Sequence, residues 1–89
     1  MLSKQLTIIN KLGLHARATT KLVTLVNQFT ADVMVQYNHK TANAKSIMGL
    51  MMLAAAQGSQ LRVIVTGEDE NECLIAVTEL INNRFAEGE

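Results

Sequence analysis

A histidine and an arginine lie close together in the sequence, at positions where they could accept and bind a phosphoryl group. His15 is followed two residues later by Arg17, at the point where an apolar helical pattern begins. The first backbone N–H groups of a helix lack an internal acceptor and carry about half a unit of positive charge. An anion beside His15 would meet those donors and the guanidinium of Arg17 together. This placement predicts phosphoryl transfer through a phosphohistidine.

The same tripeptide also has a purely structural interpretation. His15 could simply cap the helix, and Arg17 could be a solvated surface charge. For an arbitrary His-x-Arg sequence this is the more common situation, so the local motif is weak by itself.

The elements that must position these residues follow from hydrophobic periodicity. Leu2, Leu6 and Ile8 alternate with polar residues and predict a half-buried strand, with Lys4 the one polar residue on the apolar side. Helical spacing predicts an amphipathic helix over about residues 16–28. Val33, Val35 and Tyr37 predict a second strand. A turn at 38–39 and a return strand over 40–43 complete a hairpin.

The second half of the chain repeats the alternation of strand and helix. Ser46 can cap a short helix that begins at Ile47 and is expected to end at Gly58, and alternation over 61–66 predicts a fourth strand. Asp69 precedes Glu72 by three residues, the spacing of a capping box, and starts a third helix. Its expected buried residues are Leu74, Val77, Leu80 and Ile81.

The order strand, helix, strand, strand, helix, strand, helix predicts an α+β fold. Each helix has one apolar stripe, so all three should cover one face of a four-stranded antiparallel sheet, as in an open-faced β-sandwich. Residues 1–89 are expected to form a single domain, with a short frayed tail over 86–89.

Composition excludes several functional classes. Eight Lys plus Arg balance eight Asp plus Glu, so the zero net charge argues against nucleic-acid binding. The single cysteine, Cys73, cannot form an internal disulfide and is expected in the core; neither a metal nor a cofactor is predicted. The longest apolar run, 47–56, is shorter than the roughly 20 residues that span a bilayer, so a cytoplasmic protein without membrane insertion is expected.

A group of methionines marks a second region of interest. Residues 47–53 are apolar at nearly every position, and a short helix cannot bury them all. Ile47, Leu50 and Leu53 are expected to contribute to the core. The remaining methionines are predicted to be exposed, because flexible thioethers suit a surface that meets more than one partner.

The sequence resembles a known family over nearly its whole length. Residues 11–17 (KLGLHAR), residues 45–51 (KSIMGLM) and the order of all seven elements are similar to HPr, the histidine-containing phosphocarrier of the bacterial phosphotransferase system. Many members have proline after the arginine, where this chain has Ala18. Further similarities around 15–18, 45–48, 51–55 and 85–89 are typical of the nitrogen-related NPr-type branch.

The resemblance implies roles for particular residues and partners. His15 would accept a phosphoryl group on Nδ1 from phosphorylated enzyme I and pass it to a IIA protein or domain. Arg17 and the backbone N–H of Ala16 would stabilise the phosphate charge. In some bacteria the position of Ser46 is phosphorylated by a dedicated kinase. A monomer is expected.

A face around His15 is predicted to bind donor and acceptor. The predicted partner face comprises Thr20, Lys21, Thr24, Asn27, Ile47, Met48, Met51 and Met52. Two alternatives stay open at this stage: a non-carrier regulator of the same fold that acts through the Ser46 helix, and a small-molecule or RNA-binding module. Three aromatic residues give the last little capacity for stacking.

Overall fold

A computed structural model describes residues 1–87 of the chain. Its strands and helices follow the predicted order, with one additional short turn of helix at the end. The elements are β1 (Leu2–Thr7), α1 (Ala16–Val26), β2 (Asp32–Tyr37), β3 (Lys40–Asn43), α2 (Ile47–Met51), β4 (Gln60–Thr66) and α3 (Glu70–Asn82), followed by one left-handed turn, the C-terminal turn (Arg84–Ala86).

The four strands form one antiparallel sheet in the order β1-β4-β2-β3. Alternate residues of β2 and β4 are buried, and Val33 and Val35 lie opposite Val65 and Val63. One face of the sheet therefore carries an apolar surface that the helices cover. The predicted α+β open-faced sandwich is confirmed.

The core lies between this sheet face and the helices. Leu22 and Val26 of α1 and Val77 and Ile81 of α3 are almost fully buried. Leu74 and Leu80 are half-buried and pack against the same core. These residues are the apolar stripes that the helical periodicity predicted, and burying them fixes the inward face of each helix.

Two predicted helix ends are wrong. The first helix ends at Val26 instead of residue 28, and the second ends at Met51, well before Gly58. Ala54 adopts a positive φ of 54° soon after α2, so an alanine takes the left-handed conformation that the sequence suggested for a glycine.

The predicted capping box at the start of α3 is also wrong. Asp69 is the N-terminal cap residue, but its side chain makes no capping hydrogen bond. Its carboxylate instead accepts hydrogen bonds from the backbone N–H groups of Thr30 and Ala31, at 2.9 and 2.8 Å, and from the Thr30 hydroxyl. Asp69 therefore ties the start of α3 to the segment between α1 and β2.

The C-terminal segment is ordered as far as the structure describes it. Arg84, Phe85 and Ala86 all have positive φ, between 53° and 59°, and Phe85 is completely buried. Lys21 Nζ donates a hydrogen bond of 2.7 Å to the Phe85 carbonyl. The expectation of a frayed tail is wrong for Ala86 and Glu87, because the buried phenylalanine anchors them; Gly88 and Glu89 lie outside the described residues.

Within residues 1–87, none of the helices is long and apolar enough to cross a membrane. The same part of the chain contains no group of three or more His, Cys, Asp or Glu side chains that could hold a metal ion.

The bonds to Asp69 predict a pH dependence of stability. The N–H of Thr30, the largest influence, lowers the pKa of Asp69 below its ordinary value. A lowered folded-state pKa stabilises the protein fully above the unfolded pKa, about 4, and this contribution disappears as the pH falls through the lower folded value. We expect Asp69→Asn to be less stable than wild type at pH 7, with the difference shrinking in acid.

Urea unfolding from pH 7 to pH 2.5 measures this difference. Glu68→Gln is the matched control, because it removes the same charge from an exposed neighbouring side chain for which residues 1–87 provide no hydrogen bond. An Asp69→Asn deficit that stays constant across the acid range would contradict the assignment.

Candidate functional site

His15 is the residue from which α1 begins. It is the N-terminal cap, with extended backbone angles of φ −79° and ψ 176°, and its carbonyl accepts the first helical hydrogen bond from the N–H of Thr19 at 2.9 Å. Its side chain makes no capping hydrogen bond. The imidazole therefore does not cap the helix. Capping was the structural role that the sequence suggested for His15, so that interpretation loses its main support.

The turn before the helix fixes where His15 lies. Gly13 has a φ of 67°, and a Cβ there would be 2.5 Å from the carbonyl oxygen of Ala55 and 2.8 Å from Cα of Ala56. Leu14 is buried, and its N–H donates to the same Ala55 carbonyl at 2.9 Å. Only glycine permits this close approach, which places His15 one residue beyond a buried anchor.

The His15 ring is held at one nitrogen. Nε2 lies 2.5 Å from Oε2 of Glu87, and the two side chains are 25% and 11% exposed. The other carboxylate oxygen, Oε1, accepts a 3.0 Å hydrogen bond from Nδ2 of buried Asn10, which also donates to the Gly13 carbonyl at 2.8 Å. No hydrogen bond to Nδ1 is found among residues 1–87.

Groups that could donate to an anion lie next to His15 in the chain and around its partner Glu87. The N–H groups of Ala16 and Arg17 make no hydrogen bond within the described chain, as expected for the first turn of a helix. The exposed Arg17 side chain lines a cavity of about 240 Å³ together with Lys11, Leu12 and Glu87. Two cations, free N–H groups and an imidazole thus share one small region of the surface.

Two members of this site were missed from the sequence. The sequence pattern places Glu87 in the tail, and it indicates no separate role for Lys11 within the motif. Phe85 was the available signal, because a large apolar residue two positions before Glu87 predicts that the chain stays packed there. Lys11 gave no signal beyond its charge and its position four residues before His15.

The second region lies on α2. Ser46 caps this helix as predicted, its Oγ accepting from the Gly49 N–H at 3.1 Å. Leu50 and Leu53 are buried, whereas Ile47 is 41% exposed, so the expected core contribution of Ile47 is wrong. The exposed methionines are Met48 (69%), Met51 (41%) and Met52 (70%).

The predicted α1 part of the partner face is largely turned to solvent. Thr20, Thr24 and Asn27 are exposed, and the Thr20 hydroxyl and the Asn27 amide donate to carbonyls of their own helix. Lys21 differs, since it is half-buried and its ammonium group reaches the Phe85 carbonyl. It therefore belongs to the structure of the C-terminal turn as well as to the surface.

Two further residues of types that can do chemistry, His39 and Cys73, lie elsewhere in the fold. His39 is exposed in the hairpin turn, and Cys73 is buried. Burial raises the pKa of the Cys73 thiol, which keeps it in the unreactive protonated form. Neither residue contributes to the site around His15.

Known proteins share both the sequence and the fold. A family model described as "PTS HPr component phosphorylation site" matches residues 2–83. The chain is 52% identical to the phosphocarrier protein HPr of Neisseria meningitidis serogroup B over the full length of both chains. It is 41% identical to the phosphocarrier protein NPr of Shewanella violacea, covering 97% of this chain and 94% of that protein.

A solved structure agrees with these relatives. HPr-C-His from Thermoanaerobacter tengcongensis superimposes with a TM-score of 0.94, at 38% identity and covering 98% of each chain. The chain belongs to the HPr family, the phosphocarrier proteins of the phosphotransferase system, which carry a phosphoryl group rather than catalyse a reaction.

Proposed function

We propose that Nδ1 of His15 is the atom that accepts and returns the phosphoryl group. The observation that carries this proposal is the state of the ring: Nε2 is bonded to Glu87, whereas Nδ1 has no partner within residues 1–87. The free N–H groups of Ala16 and Arg17 start the helix that follows. A nucleophilic nitrogen beside unpaired donors is what transfer of a charged group requires.

The transfer balances with the groups present. The Nδ1 lone pair attacks phosphorus of the donor's phosphohistidine, a new N–P bond forms, and the donor's N–P bond breaks with its electron pair returning to the donor nitrogen. The proton on Nε2 stays in place. The reverse sequence at an acceptor regenerates His15, so the chain itself needs no cofactor.

Arg17 stabilises the phosphate charge in this proposal. Its exposed side chain lines the same cavity as Glu87, the hydrogen-bond partner of His15, and is long enough to reach phosphate oxygens there. Guanidinium groups bind phosphate through two parallel charge-assisted hydrogen bonds. Ala18 keeps the N–H that a proline would lack, and its side chain is buried in the hydrophobic core. Helix α1 starts at Ala16 without the common proline.

The donor is an enzyme I-type phosphotransferase and the acceptor a IIA-type protein, as in the family's system. Both must bring a reactive histidine to His15, so both use the partner face and compete for it. The protein acts as a cytoplasmic monomer. The nitrogen-related branch stays a prediction, since the NPr relative is 41% identical to this chain and the HPr of Neisseria meningitidis is 52% identical.

Ser46 offers a place for regulation. A phosphate on its hydroxyl would add a dianion at the start of α2, beside the exposed methionines of the partner face, and would oppose an apolar contact there. A dedicated kinase is part of this proposal. The alternative, a regulator without carrier activity, would also act through α2. It would not explain why the His15 ring is bonded to Glu87 beside unpaired N–H groups.

His15 is expected to be the sole acid-labile phosphorylation site. Mass spectrometry after incubation with enzyme I and phosphoenolpyruvate should show one added phosphoryl group in wild type and in His39→Ala, and none in His15→Ala. Labelling that persists in His15→Ala would contradict the proposed function.

Arg17→Ala should slow phosphoryl transfer in both directions by about 10–1000-fold, the range expected for loss of one or two charge-assisted contacts. The fold should be retained, because Arg17 is exposed and buries little apolar area. Quench-flow transfer rates and urea unfolding measure the two effects. Unchanged rates would make Arg17 an ordinary solvated charge.

Met48→Glu or Met51→Glu should weaken transfer from the donor and to the acceptor together, because each adds a charge to a surface that both must cover. Exposed substitutions change stability by only about 0.5 kcal/mol. Ile75→Glu is the matched control, as Ile75 is 60% exposed on α3.

NMR titration with each partner locates the contact directly. Chemical-shift changes should fall on residues 15–24 and 46–54. Shifts confined to the open face of the sheet would show that the partner face is wrong.

A further inference from the structure

The Glu87 carboxylate contacts the His15 ring and is itself held in one place. Its Oε2 lies 2.5 Å from His15 Nε2, and its Oε1 accepts from Asn10 Nδ2 at 3.0 Å. The side chain is only 11% exposed. A carboxylate that is so enclosed and bonded through both oxygens has a fixed orientation.

The chemistry of the two groups fixes where the imidazole proton lies. An ionised carboxylate only accepts hydrogen bonds, so His15 Nε2 must carry a proton to bond Glu87. A neutral imidazole has one ring proton, and its other nitrogen then presents a lone pair. The contact therefore selects the tautomer in which Nδ1 is the free nucleophilic atom.

We propose that Glu87 is a positioning residue for phosphoryl transfer, which holds the proton on Nε2 and keeps Nδ1 of His15 available. This inference rests on the proposed function. When Nδ1 binds phosphorus with the proton still on Nε2, the ring becomes positive. The Glu87 carboxylate offsets that charge, much as a carboxylate orients a histidine in other sites.

The C-terminal turn supplies the rigidity that this role needs. Non-glycine residues seldom adopt positive φ, yet Arg84, Phe85 and Ala86 do so consecutively. The Phe85 side chain is completely buried and anchors the turn to the core. The Lys21 ammonium group donates a hydrogen bond to the backbone carbonyl of Phe85. An unfavourable backbone conformation persists only when surrounding contacts enforce it. Here those contacts hold the turn so that Glu87, the next residue, lies against His15.

The surrounding charges allow a carboxylate and a phosphoryl group to coexist. Lys11 and Arg17 line the same cavity as Glu87. Lys21 approaches the turn from α1. Two cations, Lys11 and Arg17, therefore line the cavity in which two negative groups would meet, while Lys21 holds the turn. The carboxylate bonds the ring nitrogen opposite to the one that accepts phosphorus.

Because of Asn10, a Glu87→Gln substitution tests directly which ring nitrogen of His15 carries the proton. The Asn10 amide is pinned by its bond to the Gly13 carbonyl, so its N–H must also face residue 87. In Glu87→Gln the new side-chain oxygen would meet Asn10, and the new amide N–H would point at His15 Nε2. That donor favours the opposite tautomer, with the proton on Nδ1.

The test is ¹⁵N NMR of the His15 ring in unphosphorylated protein, near pH 8. Wild type should show a protonated Nε2 and an unprotonated Nδ1. Glu87→Ala should lose part of that preference, and Glu87→Gln should shift the proton towards Nδ1. Phosphoryl transfer should slow by about 10-fold or more in Glu87→Gln, the loss typical when an orienting partner of a histidine is removed.

Glu68→Gln is the control for net charge and should match wild type in both measurements. Urea unfolding separates these effects from stability, which a merely structural role would change without moving the ring proton. The same tautomer in wild type, Glu87→Ala and Glu87→Gln would overturn the inference. Because this readout uses unphosphorylated protein, its failure is distinct from failure of the proposed function, which appears as labelling that persists in His15→Ala.

Discussion

The contact of Gly13 with the chain after α2 determines the geometry of the whole site. Its backbone lies so close to Ala55 and Ala56 that a Cβ has no room, and Leu14 is bonded and buried beside it. Helix α1 can therefore begin only at the next residues. This is why His15 stands at the helix start with its ring outside the helix, next to N–H groups that have no acceptor.

The same contact brings the two functional regions together. The segment that Gly13 touches follows α2 directly, and α2 is held by the buried Leu50 and Leu53 and by the Ser46 cap. The outer side of that helix is left with exposed methionines. His15 and a surface of exposed methionines are thus joined by one packed turn, an arrangement suited to a carrier that meets two partners in succession.

Local patterns in the sequence were sufficient for most of the fold. Alternation at Val33, Val35, Val63 and Val65 predicted the sheet, because a strand buried on one face must place apolar residues at every second position. The helix-start position of His15 was predicted for a similar reason. The bounds of α1 and α2 were less accurate, since the last turn of a helix depends on caps and packing as much as on periodicity.

Features created by distant contacts could not be predicted. The spacing of Asp69 and Glu72 fits a capping box, but two backbone N–H groups of the distant loop between α1 and β2 compete for the Asp69 carboxylate and bind it instead. Glu87 is 72 residues from His15 in sequence. Its position depends on a left-handed turn of non-glycine residues, a conformation that no local propensity favours.

The central claim is that phosphate is carried on Nδ1 of a ring whose Nε2 stays protonated. The most direct measurement is ¹⁵N and ³¹P NMR of the phosphorylated protein with ¹⁵N-labelled histidine. We expect phosphorus to couple to Nδ1 of His15, and Nε2 of the same ring to keep its proton. Coupling to Nε2 of His15, or phosphorus bonded to any other residue, would contradict the claim.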